Sequence, residues 1–469
     1  MRPRILFAAV LALSVSGTRA DGLPHPASPP VDRAYAHDLL SDLISIDTTH
    51  AAGSAGAVAL LEQRFRAAGF GDAEIWIGGP RPDKLNIVVR LKGRTAAPAV
   101  LFNAHLDVVE AVKQTWSVEP FKLTEKDGWY YGRGAIDVKN EVAIITTNLI
   151  RIKREGMIPE RDVIAFFNTD EEAGGDANGV EWMVNEHRDI IDAGLVINDD
   201  AGKMLSLNGR PLWNTIQTSE KAYATYEVSA TGLGGHSSLP RPDNAIARLS
   251  RALVRLDDYQ FPVRIGETSR RYLLAMRERA SSTEARAIDR ILSNPNDSSA
   301  LTVLRENPVL NAQLHSTCPM TLISGGQSES ALPIRAVATL QCRLLPDEQP
   351  ENVLATLAHV VDDASITIKS TWGPLASPAQ PLDGRLMQLV ERLTREFWDG
   401  APVVPFMSQG ASDNVYFRRA GFNTFGVSGT VFDEADMRQH GSDERIGVSA
   451  FYDSLEFNYQ LMRGLAGDG

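Results

Sequence analysis

Three short runs of unbroken apolar residues punctuate the chain: Ala99-Val100-Leu101-Phe102, Val163-Ile164-Ala165-Phe166-Phe167 and Leu195-Val196-Ile197. Runs of this length without polar alternation predict strands buried on both faces. Around them the spacing shifts to the helical period. Leu39, Leu40, Leu43 and Ile44 share one face of a first helix, and residues 137–154 read as another. Buried strands separated by helices predict an α/β fold with a mixed, largely parallel sheet.

After residue 217 the pattern changes. An alternating strand starts at Tyr223, turns through Gly232 to Ser238 and enters a helix over 243–256. Then come a strand around Thr321-Leu322-Ile323, the Gly325-Gly326 turn, a strand over 335–344, a helix over 351–361 and a strand over 365–369. The order β-α-β-β-α-β predicts a ferredoxin-like α+β layer. The expected organisation is therefore a main domain in two parts, 21–217 and 374–469, interrupted by a lid over 218–373. A chain of 469 residues is long enough for both.

The first twenty residues read as a signal peptide. Arg2 and Arg4 precede an apolar run over 5–15, and Thr18-Arg19-Ala20 offers a small-x-small cleavage site. Export to the periplasm or the exterior is expected, with retention as a membrane anchor as the alternative, and the Pro-rich stretch 23–30 as a tether. No later run reaches the roughly eighteen apolar residues of a membrane span. The formal charge of −12 argues against nucleic acid or anionic lipid as a partner. Neither a basic run with interleaved aromatics nor a Gly-x-x-x-x-Gly-Lys phosphate loop is present.

The candidate chemistry lies where the buried runs end. His105-x-Asp107, Asp137, Glu171-Glu172, Asp199-Asp200 and His440 follow strand-like runs, glycine-rich turns or helix starts. In parallel sheets functional groups gather beyond the carboxyl ends of the strands. Imidazole and carboxylate are zinc ligands, and two His with three carboxylates, one of them bridging, would give two ions three protein ligands each.

The motifs His105-Leu106-Asp107, Gly132-Arg133-Gly134-Ala135-Ile136-Asp137, Thr169-Asp170-Glu171-Glu172-Ala173-Gly174-Gly175 and His440-Gly441-Ser442-Asp443-Glu444-Arg445 occur in this order. The chain from about Ala34 to Leu465 thereby resembles the dinuclear zinc peptidase family of carboxypeptidase G2, aminoacylase-1 and acetylornithine deacetylase. Met407-Ser408-Gln409-Gly410-Ala411-Ser412-Asp413 and the long segment between about Phe261 and Thr317 are similar to its carboxypeptidase S-like branch. The resemblance implies a two-domain zinc peptidase fold with two Zn2+, cobalt or manganese being substitutes. Asp137 would bridge the ions, His105 and Asp200 would complete one, and Glu172 and His440 the other. Glu171 would be the general base. Asp107 would accept the second ring N–H of His105 and fix its tautomer.

In the lid, His236 in Gly-Gly-His-Ser-Ser matches the family histidine that polarises the scissile carbonyl, often from a partner subunit. Arg343 in Arg-Leu-Leu-Pro matches the arginine that grips a substrate's free carboxylate. Ser330 and Gly410 complete the implied substrate-binding residues, although Ser330 stands where the family pattern has asparagine. A homodimer through the lid follows from the same resemblance.

The implied reaction is hydrolysis of the C-terminal amide of a peptide or of an N-acyl amino acid with a free carboxylate. Aminoacylase, deacylase and carbamate amidohydrolase activities of the same family remain alternatives. Two rivals from other classes are a metal-bound scaffold, which would need the ligands but not Glu171, and a phosphoesterase, for which no basic cluster beyond Arg343 is evident. No Gly-x-Ser-x-Gly elbow competes for the nucleophile role. Cys318 and Cys342 lie nearly symmetrically about Ser330 in a strand-turn-strand, so antiparallel pairing would set them opposite one another. In an exported protein such a pair is open to oxidation, two buried reduced thiols being the alternative.

Overall fold

The computed structural model describes residues 26–173, 177–346, 348–372, 376–398 and 400–467. The proposed signal peptide at 1–20, Gly174-Gly175 and the lid boundary at Gly373 lie outside the described residues.

The three apolar runs form adjacent strands at the centre of a ten-stranded sheet. Val100–His105 lies between Val163–Asn168 and Leu195–Asn198 and runs parallel to both. Thr424–Gly426 continues the parallel set beside Leu195–Asn198. Beyond Val163–Asn168 the strands Lys84–Leu91 and Ile75–Arg81 turn antiparallel, and the far half is built on Arg210–Glu220. The sheet is therefore mixed with a parallel centre, as predicted. Helices Pro30–Ser45, Lys139–Arg154 and Val448–Ala466 bury one face, with Leu39, Leu40, Leu43 and Ile44 all fully enclosed. Helices Gly179–Glu186 and Asn414–Arg419 cover the other through Val180, Met183 and Phe417.

The lid is a four-stranded antiparallel sheet in the order Met320–Gly325, Arg335–Leu344, Ala222–Thr231, Ile366–Trp372. Alternation puts Ala222, Ala224, Tyr226, Val228, Cys342 and Leu344 on one face, where helices Ala245–Asp258 and Pro350–Val361 bury them. Cys318 and Cys342 are disulfide-bonded, as the strand symmetry predicted.

Three local expectations are modified. The third long helix starts at Lys139 rather than at Asp137, and the backbone N–H groups of Ile136 and Asp137, which precede it, donate to the Glu444 carboxylate at 3.0 and 3.2 Å. The described end of the 23–30 segment is docked: Ser28 is buried and donates to Glu456 Oε2 at 2.8 Å. The long segment after Phe261 folds into four helices, Glu267–Arg277, Ser282–Ser293, Ser298–Leu304 and Pro308–Leu314. It leaves the lid to pack Tyr272, Leu273, Ile288 and Ile291 with Trp213 and Val404 of the main sheet.

Candidate metal centre

Each candidate ligand is delivered by a chain reversal at the same end of the sheet. His105 is the last residue of its strand, Glu171 and Glu172 follow Val163–Asn168, and Asp199 and Asp200 follow Leu195–Asn198. The Gly132–Asp137 turn and the loop holding His440 are joined by a fully buried ion pair, Arg133 Nη1 to Glu444 Oε2 at 2.5 Å. Arg133 also donates to the Gly441 carbonyl at 3.1 Å. This pair sets Asp137 against His440, whose Nε2 lies 3.2 Å from Asp137 Oδ2 and 2.8 Å from Glu172 Oε1.

Two groups of donors share Asp137: His105, Asp137 and Asp200 on one side, and Asp137, Glu172 and His440 on the other, with the donor atoms of each group within 4.8 Å of one another. The two oxygens of Asp137 face different imidazoles, Oδ1 lying 3.4 Å from His105 Nε2 and Oδ2 3.2 Å from His440 Nε2. Glu171 belongs with His105 and Glu172 in a third such group.

The donor set fits a divalent cation of zinc's type, since it combines imidazole nitrogen with carboxylate oxygen. The electrostatics agree. Burial first, then Asp413, Asp200 and Glu172, lift the Glu171 carboxyl well above its ordinary range. Burial and Asp137 lift Glu172. Hydrogen bonds to Asp137 and Glu172 raise His440 to about 10. Burial opposes charge on His105, but Asp137 and the carboxylates of Asp107, Glu171 and Asp200 outweigh it and hold that ring well above its ordinary value. Glu171, Glu172, His105 and His440 all favour their protonated forms, which marks a buried excess of negative charge that a cation relieves, while Asp137, set between the two imidazoles, is held ionised.

Asp107 acts differently from expectation. The ring N–H at His105 Nδ1 donates to the backbone carbonyl of Asp107 at 2.9 Å, while the nearest Asp107 carboxylate oxygen is 3.8 Å away. The carboxylate is engaged elsewhere, accepting the backbone N–H of Glu171 at 3.0 Å and of Glu172 at 2.9 Å. Two backbone donors on a fixed turn outcompete one ring N–H, and Asp107 thereby positions the Glu171-Glu172 pair.

The remaining predicted residues lie apart from this cluster. His236 is exposed, on a two-residue strand paired with Ala331, and its Nδ1 is 2.7 Å from Ser238 Oγ. Ser330 is beside it, its carbonyl accepting the Ser237 N–H at 2.9 Å. Arg343 stacks over Tyr223 at 4.7 Å and donates to Gln341 at 3.2 Å, and among the described residues no carboxylate pairs with it. The Gly410 loop is reached from the neighbouring strand: Lys221, just before Ala222–Thr231, donates its backbone N–H to the Ser408 carbonyl at 2.9 Å.

Several residues at the site carried no sequence expectation of their own. Asp170 has a left-handed φ of 54° and a buried ion pair with Lys84 at 2.6 Å. Asp413, buried, is raised to about 7 chiefly by burial, and it accepts from Asn168 at 2.6 Å and Asn178 at 2.8 Å. Lys203 lies 3.6 Å from Asp200. Asp170 and Asp413 stood within the quoted motifs without a role of their own, and Lys203 stood outside all of them.

The sequence profile of peptidase family M20/M25/M40 matches residues 101–464. The chain is 28% identical to the N-fatty-acyl-amino acid synthase/hydrolase PM20D1 of Xenopus tropicalis, over 77% of this chain and 71% of that protein. It is 25% identical to the probable carboxypeptidase S-like 2 of Dictyostelium discoideum, over 78% and 71% respectively. The fold is that of the M20 metallo-carboxypeptidase Sso-CP2 from Sulfolobus solfataricus, with a TM-score of 0.67, 17% identity, and coverage of 92% of this chain and 99% of that one.

Proposed function

Since the chain belongs to peptidase family M20/M25/M40, we propose that it is an exported dinuclear zinc hydrolase that cleaves the amide of N-acyl amino acids or the C-terminal amide of peptides. The observation that carries this is the sharing of Asp137 between two three-residue donor groups, with Glu171 alongside and in neither. The names of the two relatives support an N-acyl amino acid or a peptide as the substrate class.

Zinc bound at the two positions would polarise the scissile carbonyl and bring water into reach of deprotonation near neutral pH. Glu171 takes the proton from the attacking water and returns it to the leaving nitrogen, a role typically worth about 10²–10⁴ in rate. Its raised proton affinity suits both halves of that transfer. Asp107 keeps it in place through the two backbone N–H groups. Arg343, which no carboxylate pairs with among the described residues, receives that of the substrate as a bidentate charge-assisted pair.

His236 donates to the developing oxyanion from the lid of a second copy. A dimer is supported by the lid's edge strand Met320–Gly325, which exposes Leu322 at 69% and Ile323 at 68%. Export is supported by the Cys318–Cys342 bond, since such bonds persist in oxidising compartments.

The test is release of free amino acid from a panel of N-acyl amino acids and dipeptides with zinc present, by wild type and Glu171→Gln. Wild-type turnover and its loss by about 10²–10⁴ in the variant, with metal content unchanged, are expected. A variant retaining more than about a tenth of the activity would remove Glu171 as the base. Sedimentation of active enzyme as a monomer would remove the second-copy role of His236.

A further inference from the structure

Among the described residues, a lysine ion-pairs with one donor group and not with the other. Lys203 Nζ lies 3.6 Å from Asp200 Oδ1 and 4.4 Å from the centroid of the Phe432 ring, with four-fifths of its side chain buried. Its root is fixed: its backbone N–H donates to Thr215 Oγ1 at 2.9 Å and its carbonyl accepts the Thr215 N–H at 2.9 Å. The ammonium also reaches Asp137 electrostatically. On the other side, Glu172 has His440 as its ion-pair partner, and among the described residues no lysine or arginine pairs with it.

An ion held through Asp200 Oδ1, the oxygen facing Lys203, would sit about 2.0–2.2 Å from it, and so at most roughly 5.8 Å from the ammonium. At that separation two positive charges repel appreciably even with strong screening. The carboxylate that Lys203 shares also has less charge to offer an ion. We propose that Lys203 makes the two metal positions unequal, weakening the one formed by His105, Asp137 and Asp200 relative to the one formed by Asp137, Glu172 and His440. The proposal rests on the dinuclear reading above and assigns its order of loading: the His440 position fills first, and the Asp200 position fills as the lysine is displaced along its cation–π shelf on Phe432.

The experiment is a metal titration of the full chain stripped by dialysis, with zinc competed against chelators of graded strength and cobalt followed by its visible absorption. Two binding steps are expected in the wild type, and Asp200→Ala should delete the weaker. Lys203→Met should tighten that weaker step by about tenfold or more and leave the stronger one in place, while Lys203→Arg preserves the wild-type gap. The unchanged stronger step serves as the internal control for folding, and Lys203→Gln, neutral but still a hydrogen-bond donor, is the second variant should Met disturb packing. If the neutral variants leave both steps unaltered, or weaken the step that Asp200→Ala deletes, the proposal fails and the dinuclear reading stands. A wild-type chain that binds fewer than two ions overturns that reading as well.

Discussion

The pair Lys84–Asp170 tests how Glu171, the proposed base, is aimed. Both side chains are buried, with Lys84 Nζ 2.6 Å from Asp170 Oδ1 and 2.5 Å from the His50 carbonyl. Asp170 immediately precedes Glu171 and has a φ of 54°, a conformation that costs a residue other than glycine about 1–2 kcal/mol. Lys84→Met leaves the interior carboxylate with only the half-exposed His50 ring, 3.1 Å from its Oδ2, and Asp170→Asn leaves a buried ammonium with no counter-charge. Each should cost about 3–5 kcal/mol of stability. The double variant leaves neither charge orphaned, so its loss should fall short of the sum by about 1–3 kcal/mol. With the left-handed turn no longer tethered, Glu171 shifts, and a displacement on the order of 1 Å can lower turnover roughly 100-fold. Urea denaturation of the four proteins gives the stability cycle, and kcat with KM on one N-acyl amino acid gives the catalytic one. Additive stability losses together with kcat within about twofold of wild type would refute the argument.

Two further outcomes are expected. Arg343→Ala should lower kcat/KM for free-acid substrates by roughly 10- to 150-fold, the equivalent of the 1.5–3 kcal/mol of charged hydrogen bonds, and should barely affect their C-terminal amides. Equal wild-type kcat/KM for an acid and its amide would remove the carboxylate as the recognition handle. Burial first, and then Arg343, push the Lys221 ammonium down to about 7, below its unfolded value near 10.4. The folded chain thus binds fewer protons than the unfolded one between about pH 7 and 10.4, and this group's contribution rises with pH across that window and is lost as pH falls through 7. Subtracting the stability profile of Lys221→Met should leave a rise of about 3–5 kcal/mol between pH 7 and 10, and a flat difference would contradict it.

What the sequence made legible follows from what local pattern encodes. The unbroken run Val163 to Phe167 and the alternation from Ala222 to Thr231 translate directly into a buried central strand and a one-sided lid strand. His105, Glu172 and Asp200 were readable because each follows a strand that the pattern had already marked, whereas Asp137 and His440 stood out through the motifs that carry the family resemblance. Asp107 was misassigned because its neighbour in sequence, His105, is not the group its carboxylate meets; Glu171 and Glu172 come from another strand. The partnership of Arg133 with Glu444, separated by more than three hundred residues, has no local signature. Likewise Tyr272, Leu273, Ile288 and Ile291 announce apolar helix faces, but spacing alone does not say that Trp213 and Val404 cover them.

The four-helix excursion after Phe261 changes how the lid is attached. A lid inserted once in a chain is held by two covalent crossings and can swing on them as a door does. Here the chain also leaves the lid after the helix Ala245–Asp258 and re-enters it at the strand Met320–Gly325, having anchored Tyr272 and Ile288 against the main sheet in between. Lys221 at the lid's entrance reinforces that return by donating to the His315 carbonyl at 2.8 Å. Four tethers leave only rotations whose axis passes near all of them, so opening has the character of a rocker pivoting on a plate. Cleaving the backbone within the excursion would restore the door without touching a single residue of the metal centre.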